Sequence, residues 1–347
     1  MLSRIAAKKD SCKAAPYVIL CCAVLFSLVT VYIQVSALHR IYLSTVQLPR
    51  LANIIEGRGG APWQYRIFSE YLVHWTRLAV TKLGLPYPIE TAFILFRVAQ
   101  NTLIFLLAAV YYRKLGLSTY VTLIGLSLLA WGMMHCLYDS DLSFNTYSDV
   151  IFYLLAAVLI MSGKYWWIIP TMFLATLNRE TSVFIPGMLL VYGLYSESRH
   201  ELRSKIIPIT VASYVVFLTV FLGLRHIYAP QLQLTPYGHA LGLDVFMYNV
   251  SRPVTWLQVT SALGILPIMA LYSIRRWPVS LKSYFWAVVP VSFVAHWFFS
   301  ITAEARLFLV PFALAFIPGA LFGIPDRVKE AAPAPREESV SPVANVQ

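Results

Sequence analysis

Residues 165–196 read YWWIIPTMFLATLNRETSVFIPGMLLVYGLYS, two apolar runs hinged on Asn178-Arg179-Glu180. Each run falls short of the about 20 apolar residues that carry a helix across the hydrocarbon core. Two parities follow. Read as one span broken at its centre, the stretch moves the rest of the chain to the other side of a membrane. Read as a hairpin with Asn178-Arg179-Glu180 near its tip, it returns the chain to the side it left. Pro170 and Pro186 lie inside the runs. They are tolerated where neighbouring helices satisfy the freed backbone groups.

The cations choose between the two. With the hairpin, Arg113 and Lys114, Lys164, the Arg199/Arg203/Lys205 cluster, Arg275, Arg276 and Lys282, and Arg327 and Lys329 join Arg4, Lys8, Lys9 and Lys13 on one side. Cytoplasmic loops collect Lys and Arg, so that side is the cytoplasm. The expected fold is all-α, a polytopic transmembrane helical bundle of about ten membrane segments including the short hairpin, with both termini inside. The spans are expected at 16–38, 89–112, 117–138, 149–164, 165–178, 180–196, 206–228, 254–274, 284–302 and 306–324. Residues 1–15 form a cytoplasmic N-terminus and 16–324 the membrane domain. The tail 325–347, with Pro333, Pro335, Glu337 and Glu338 and no apolar periodicity, reads as disordered.

Composition agrees. Of 347 residues, 59% are hydrophobic and only 12% charged, against roughly 25% charged in soluble domains. The formal charge of +11 is then a property of loops facing anionic headgroups and gives no ground for a nucleic-acid partner. Cys12, Cys21, Cys22 and Cys136 show no metal or redox spacing. The run 16–38 is longer than the apolar core of a signal peptide and reads as an uncleaved first helix.

Loop 39–88 is too long for a connector. Its second half places Ile67, Tyr71, Trp75 and Leu78 at helical spacing among Arg66, Glu70, Arg77 and Lys82. That is the pattern of an amphipathic helix lying in the interface. The loop also carries Arg40, Arg50 and Arg58 on the outer side; long loops follow the charge rule weakly.

The strongest acids, Glu56, Glu70, Asp139, Asp141, Asp149, Glu180, Asp244 and Glu304, all fall at the cation-poor ends of the apolar runs. Chemistry is therefore expected at the outer rim. Ionisable residues within spans cost at least about 2.5 kcal/mol on insertion and mark sites unless paired. Three spots qualify. Asn178-Arg179-Glu180 is a hairpin tip stapled by its own charges or a phosphate-binding group. Glu304-Ala305-Arg306 is a capped tight loop or a bidentate phosphate grip. Arg97 shares a helix face with Asn101, beside Gln100, and reads first as interhelical hydrogen bonding.

Outside the spans, Asp139 and Asp141 with Asp149 carry oxygen donors suited to a divalent cation, although such a loop is more often simply solvated, with Asp149 as an N-cap. No metal or organic cofactor is required. His239 and Asp244 are spaced for a proton relay. Glu56 precedes Gly57, Gly59 and Gly60 in a flexible stretch. No nucleotide-binding loop, nucleophile elbow or metalloprotease motif occurs.

Three short motifs carry a family resemblance. Pro62-Trp63-Gln64-Tyr65-Arg66-Ile67, Asn178-Arg179-Glu180-Thr181, and Glu304-x-Arg306-Leu307 with Pro311 after it resemble the "YR", "RE" and "E-x-R-F" elements of the GT-C superfamily of integral-membrane glycosyltransferases. The long first outer loop with an interfacial helix is similar too. The resemblance implies a GT-C-like bundle that moves a sugar from a polyprenyl-phosphate donor, held by membrane lipid, to a glycan, lipid or protein acceptor. It implies Glu56 as catalytic base. Arg66, Arg97, Asp139, Asp141, Asn178, Arg179, Glu180, His239, Glu304 and Arg306 would bind substrate, in a bacterial inner membrane. The pattern departs from the family in having no acid between Leu38 and Glu56 and no His adjacent to Glu304; the nearest upstream is His296. A transporter or lipid-linked-sugar flippase would place acids at mid-membrane in broken helices. A noncatalytic assembly subunit would tolerate loss of Glu56, Glu180 or Arg306.

Overall fold

The computed structural model describes residues 2–136, 142–196, 199–231, 235 and 238–324. Asp139 and Asp141, Ser198 and the tail 325–347 lie outside the described residues. Among the described residues the chain is all helical, with no strand.

Four helices are long and apolar enough to cross a membrane: Pro16–Leu38, Pro88–Lys114, Phe144–Met161 and Leu202–Ile227. A fifth crossing arises if Pro253–Leu263 and Leu266–Tyr272, bent by 61°, form one broken span. Gly264 takes a left-handed φ of 55° at the break and Pro267 follows it, so backbone geometry sets the bend. We number the elements α1 (Leu2–Leu38), α2 (Leu48–Ile55), α3 (Ile67–Lys82), α4 (Pro88–Lys114), α5 (Thr119–His135), α6 (Phe144–Met161), α7 (Ile168–Asn178), α8 (Phe184–Ser196), α9 (Leu202–Ile227), α10 (Leu243–Ser251), α11 (Pro253–Leu263), α12 (Leu266–Tyr272), α13 (Val279–Phe299) and α14 (Ala305–Leu321).

Helix α6 is the centre, with 72% of its apolar window buried, whereas α1 and α9 bury only 28%. On the outer helices Leu25, Leu28, Val211, Leu218 and Leu222 point away from the protein. Hydrocarbon tolerates that arrangement and water does not. These are the helices of an integral membrane protein.

Inside, small residues let backbones approach. Gly319 packs against the Trp277 ring, and a Cβ there would come within 2.4 Å of it. Helix α14 widens to a π turn at Phe312–Phe316. Carbonyls in this widened stretch accept the Tyr111 hydroxyl at Leu314 and the Tyr112 hydroxyl at Ala313, both at 2.9 Å. The widened turn thereby satisfies two buried phenols that the bilayer could not.

The stretch 165–196 is a hairpin. Asn178 at the end of α7 donates to the Asn145 carbonyl (2.7 Å) and to Asp149 (2.9 Å) in the first turns of α6, so α7 runs antiparallel to α6. Near the far end of α8, Tyr192 stacks on Tyr284 at 6.1 Å. The Tyr284 hydroxyl donates to the carbonyl of Ala157, near the last turn of α6 (3.2 Å). Helix α8 therefore runs back along α6. With 11 and 13 residues, the two arms rise only about 16–20 Å, and the tip leaves a depression.

The same contacts orient the rest. Gln100 in α4 meets the start of α6, Tyr111 and Tyr112 meet the middle of α14, and Ser273 and Trp277 meet its last turn at the Gly319 carbonyl. Arg113, Lys114, Lys164, Arg203, Lys205, Arg275, Arg276 and Lys282 consequently lie at the end of the bundle opposite the hairpin tip.

Helix α3 lies against the bundle at the tip end. Ser69, Glu70, Val73 and Val80 are buried while Trp75 and Leu78 are exposed. Its inward face is mixed: Ser69 bonds to Ser148 and Asn178, while Val73 packs in a hydrophobic cluster with Leu51 and Phe93.

Candidate functional site

At the tip end the structure encloses a cavity of about 600 Å³, within the range of small-molecule sites. Arg66, Arg179, Glu180, Glu304 and Arg306 all line it. These five residues come from the first long loop, the hairpin tip and the α13–α14 turn. Of the residues expected from sequence, these are the ones the fold brings together.

Each arginine meets a carboxylate. Arg66 clamps Glu180 with two parallel bonds, Nε to Oε2 at 3.1 Å and Nη2 to Oε1. Arg306 Nη2 donates to Glu304 Oε2 at 2.6 Å. Arg179 Nη1 reaches Asp149 Oδ2 at 3.5 Å and the Thr146 hydroxyl at 3.3 Å. Its buried Nε finds no hydrogen-bond partner among the described residues. The site is thus electrically matched rather than a bare cationic hole.

Local sequence explains the placement. Gln64 accepts from the Gly59 amide (2.6 Å) and donates to the Ile54 carbonyl (3.0 Å), which folds the loop back before the Trp63–Tyr65 turn. A Cβ at Gly59 would lie 2.9 Å from the Gln64 oxygen, so a glycine is needed. The turn aims Trp63 and Arg66 into the cavity, the Arg66 guanidinium lying 4.9 Å over the indole. Arg50 covers the same ring at 5.4 Å.

At the hairpin tip, Arg179 is fully extended (φ −165°, ψ 145°). The backbone there leaves the helix. Asn178 holds the tip by accepting from Ser69 in α3 (2.6 Å) and donating into α6. Thr181 donates to Asp149 at 2.7 Å. Asp149 is therefore a buried anchor in the second turn of α6, not a solvated N-cap, because three side chains of the tip satisfy it.

The remaining expected residues stand elsewhere. Glu56 is half exposed and pairs with its neighbour Arg58 at the C-terminal end of α2; it does not line the cavity. Arg97 is 1% exposed and also stands off it. It donates to Gln100 (2.9 Å) and lies 3.7 Å over the Tyr147 ring. Gln100 passes the network to Ser148 (2.7 Å), Ser148 to Ser69 (2.8 Å), and Ser69 to Asn178. Asn178 and Arg97 thus act behind the cavity wall. His239 pairs with Asp244 at 3.2 Å on an exposed loop and stacks on Tyr248. The Ala240 amide and then the His239 ring hold the Asp244 carboxyl below its ordinary value. Among the described residues no group of three or more His, Cys, Asp or Glu side chains gathers as a metal site.

Compared with protein-family models, with curated proteins and with solved structures, the chain matches none. The site must therefore be read from its own chemistry.

Sequence reading missed His296 in the wall and Arg225 close by. His296 is buried in α13 and lines the cavity with Glu304. A lone histidine in an apolar helix was a signal for it. Arg225 sits 4.5 Å over Tyr65, with Glu180 and Arg66 in its field. Glu70, on the polar face of the amphipathic helix, is buried, and burial pushes its carboxyl up to about 7 against the pull of Arg50.

Proposed function

We propose that the chain is a GT-C-type membrane glycosyltransferase that moves a sugar from a polyprenyl-phosphate donor to an acceptor at the outer face of a bacterial inner membrane. The observation that carries this is the single cavity holding three arginines and two glutamates at the cation-poor end of a membrane bundle. Counted by direction, α1, α4, α5, α6, α7, α8, α9, the bent α11–α12 pair, α13 and α14 alternate between the two ends. On this reading they are the ten membrane segments. Both termini then share the end that carries the Lys and Arg clusters, which the charge rule makes cytoplasmic.

The chemistry asks for little more than this cavity offers. An acceptor oxygen attacks the anomeric carbon. The bond from that carbon to the phosphate oxygen breaks, and its electron pair leaves on the phosphate. A carboxylate takes the acceptor proton. Arginines stabilise the charge that gathers on the departing phosphate. Trp63, Phe184 and Phe299 in the wall give apolar faces against which a sugar ring packs. Glu180 and Glu304 are the acids in place for proton transfer; Glu56 would need to move into the cavity to serve.

The test is release of free decaprenyl phosphate, read by mass spectrometry, from decaprenyl-phosphate-linked glucose, galactose, mannose and arabinose offered to the protein in nanodiscs. Release from at least one donor is expected, and its loss in Arg306→Gln. Transbilayer movement of the intact donor without release would point to the flippase reading. Neither release nor movement would point to an assembly subunit.

A further inference from the structure

Every arginine in the cavity wall already meets a carboxylate, so an incoming phosphate competes with an acid for the guanidinium it approaches. The three pairs differ in how readily they part. Glu304 and Arg306 are two residues apart in one turn and stay together whatever binds. Asp149 is buried beside Arg179 and also holds Asn178 and Thr181; opening that pair strands a buried charge. Arg66 and Glu180 lie 114 residues apart on separate elements. Glu180 is the more exposed partner, 33% against 9%. When Glu180 swings away, Arg66 keeps the Trp63 face beneath it, a contact that favours a guanidinium. Glu180 in turn remains in the field of Arg179 and Arg225.

The groove beside this pair gives the direction of approach. Ile67, Phe68, Tyr71, Trp75, Leu174 and Leu177 line an apolar furrow of about 380 Å³ between α3 and α7. It begins immediately after Arg66 on one side and immediately before Asn178-Arg179-Glu180 on the other. A hydrocarbon chain lying in it delivers its phosphate to the Arg66–Glu180 pair.

We propose that the Arg66–Glu180 pair is a latch opened by the donor itself. The lipid phosphate replaces the Glu180 carboxylate on Arg66, and the released Glu180 is the base that takes the acceptor proton. The inference rests on the sugar-transfer reading. A sugar-phosphate-lipid is a phosphodiester with one negative charge, the same charge as the carboxylate it displaces from Arg66. Guanidinium binds both with the same two-pronged geometry. During transfer the acceptor proton passes to Glu180, and the bonding pair of the broken carbon–oxygen bond passes to the phosphate. The base is thus masked until a donor is in place, which limits wasteful reaction.

The experiment measures the affinity of full-length protein in nanodiscs for decaprenyl phosphate. Glu180→Gln removes the competing charge and is expected to tighten binding about tenfold, since a charge-assisted bond exceeds a neutral one by roughly that factor. Arg66→Gln is expected to weaken it about tenfold. Glu304→Gln, which removes a neighbouring charge without opening the latch, should tighten binding by a smaller factor than Glu180→Gln does. Inorganic phosphate in excess should fail to compete, because the chain in the groove supplies the delivery. Release from whichever panel donor the wild type consumes should fall about a hundredfold or more in Glu180→Gln, opposite to its binding. Glu180→Asp, which shortens the arm, should move affinity the same way by a smaller factor if Glu180→Gln does not elute as a monodisperse species. Equal affinities for Glu180→Gln and wild type, or equal gains for Glu180→Gln and Glu304→Gln, would overturn the latch alone. No binding of decaprenyl phosphate by wild type would remove the sugar-lipid reading, and the latch with it.

Discussion

Two groups of arginines sit within this bundle, and they are kept in different ways. Arg66, Arg179 and Arg306 face a cavity, and each has a carboxylate beside it. Arg97 lies behind the cavity wall with Gln100 and the rings of Phe144 and Tyr147, and among the described residues no carboxylate pairs with it. In sequence Arg97, Arg179 and Arg306 all look like charges stranded among apolar runs. The difference teaches that an intramembrane charge marks a ligand site when it faces open volume with an exchangeable partner. It marks a helix contact when its partners are neutral and packed.

That contrast can be broken at several points. The largest effect belongs to Asp149, which satisfies Arg179, Asn178 and Thr181 at once. Asp149→Ala should lower stability by about 3–5 kcal/mol, the usual cost of breaking a buried pair, and detergent thermal unfolding would show it. An unchanged melting temperature would mean that the tip is held by other means. Next comes Arg306→Gln. It should weaken decaprenyl phosphate binding about tenfold, or ~1.4 kcal/mol, while leaving the melting temperature nearly in place.

Glu70 sharpens the comparison through pH. Burial raises its carboxyl from 4.5 to about 7 in the folded protein. The folded state therefore favours the protonated form. Its contribution is fully present below about pH 4.5 and declines as pH rises through 7. Melting temperature should fall across that window, and Glu70→Gln should flatten the slope; an equal slope in both proteins would place the titration elsewhere. Smallest of all is Arg97→Met, which removes one neutral-partnered bond and keeps the volume. A change under about 1.5 kcal/mol in stability is expected, with no change in affinity for decaprenyl phosphate. A tenfold loss of affinity would move Arg97 into the binding group.

Much of the fold was legible because bilayer physics is coarse. Apolar run length, cation clustering and the Asn178-Arg179-Glu180 interruption were enough to place the hairpin and to put the acids at one end. Detail failed where partners are distant in sequence. Asp149 reads as an N-cap until Asn178 and Thr181 are seen on it. Glu56 reads as an accessible acid in a glycine-rich turn, and it is accessible, but Arg58 holds it at the end of α2, away from the cavity. Helix α3 reads as amphipathic, but its sequence does not disclose that Ser69 and Glu70 are buried beside Val73 against the bundle. His296 and Arg225 left only the faint signal of single ionisable residues near helix ends.

On the proposed function, the cavity at the hairpin-tip end binds a lipid-borne phosphate between arginines. The most direct measurement is an experimental structure of the protein in nanodiscs saturated with decaprenyl phosphate. Phosphate density in contact with Arg66 and within the cavity shared by Arg179 and Arg306, with the chain in the α3–α7 furrow, is the predicted result. Density only at the Arg275, Arg276 and Lys282 end of the bundle, with the cavity unoccupied and Arg66 still clamped on Glu180, would contradict it.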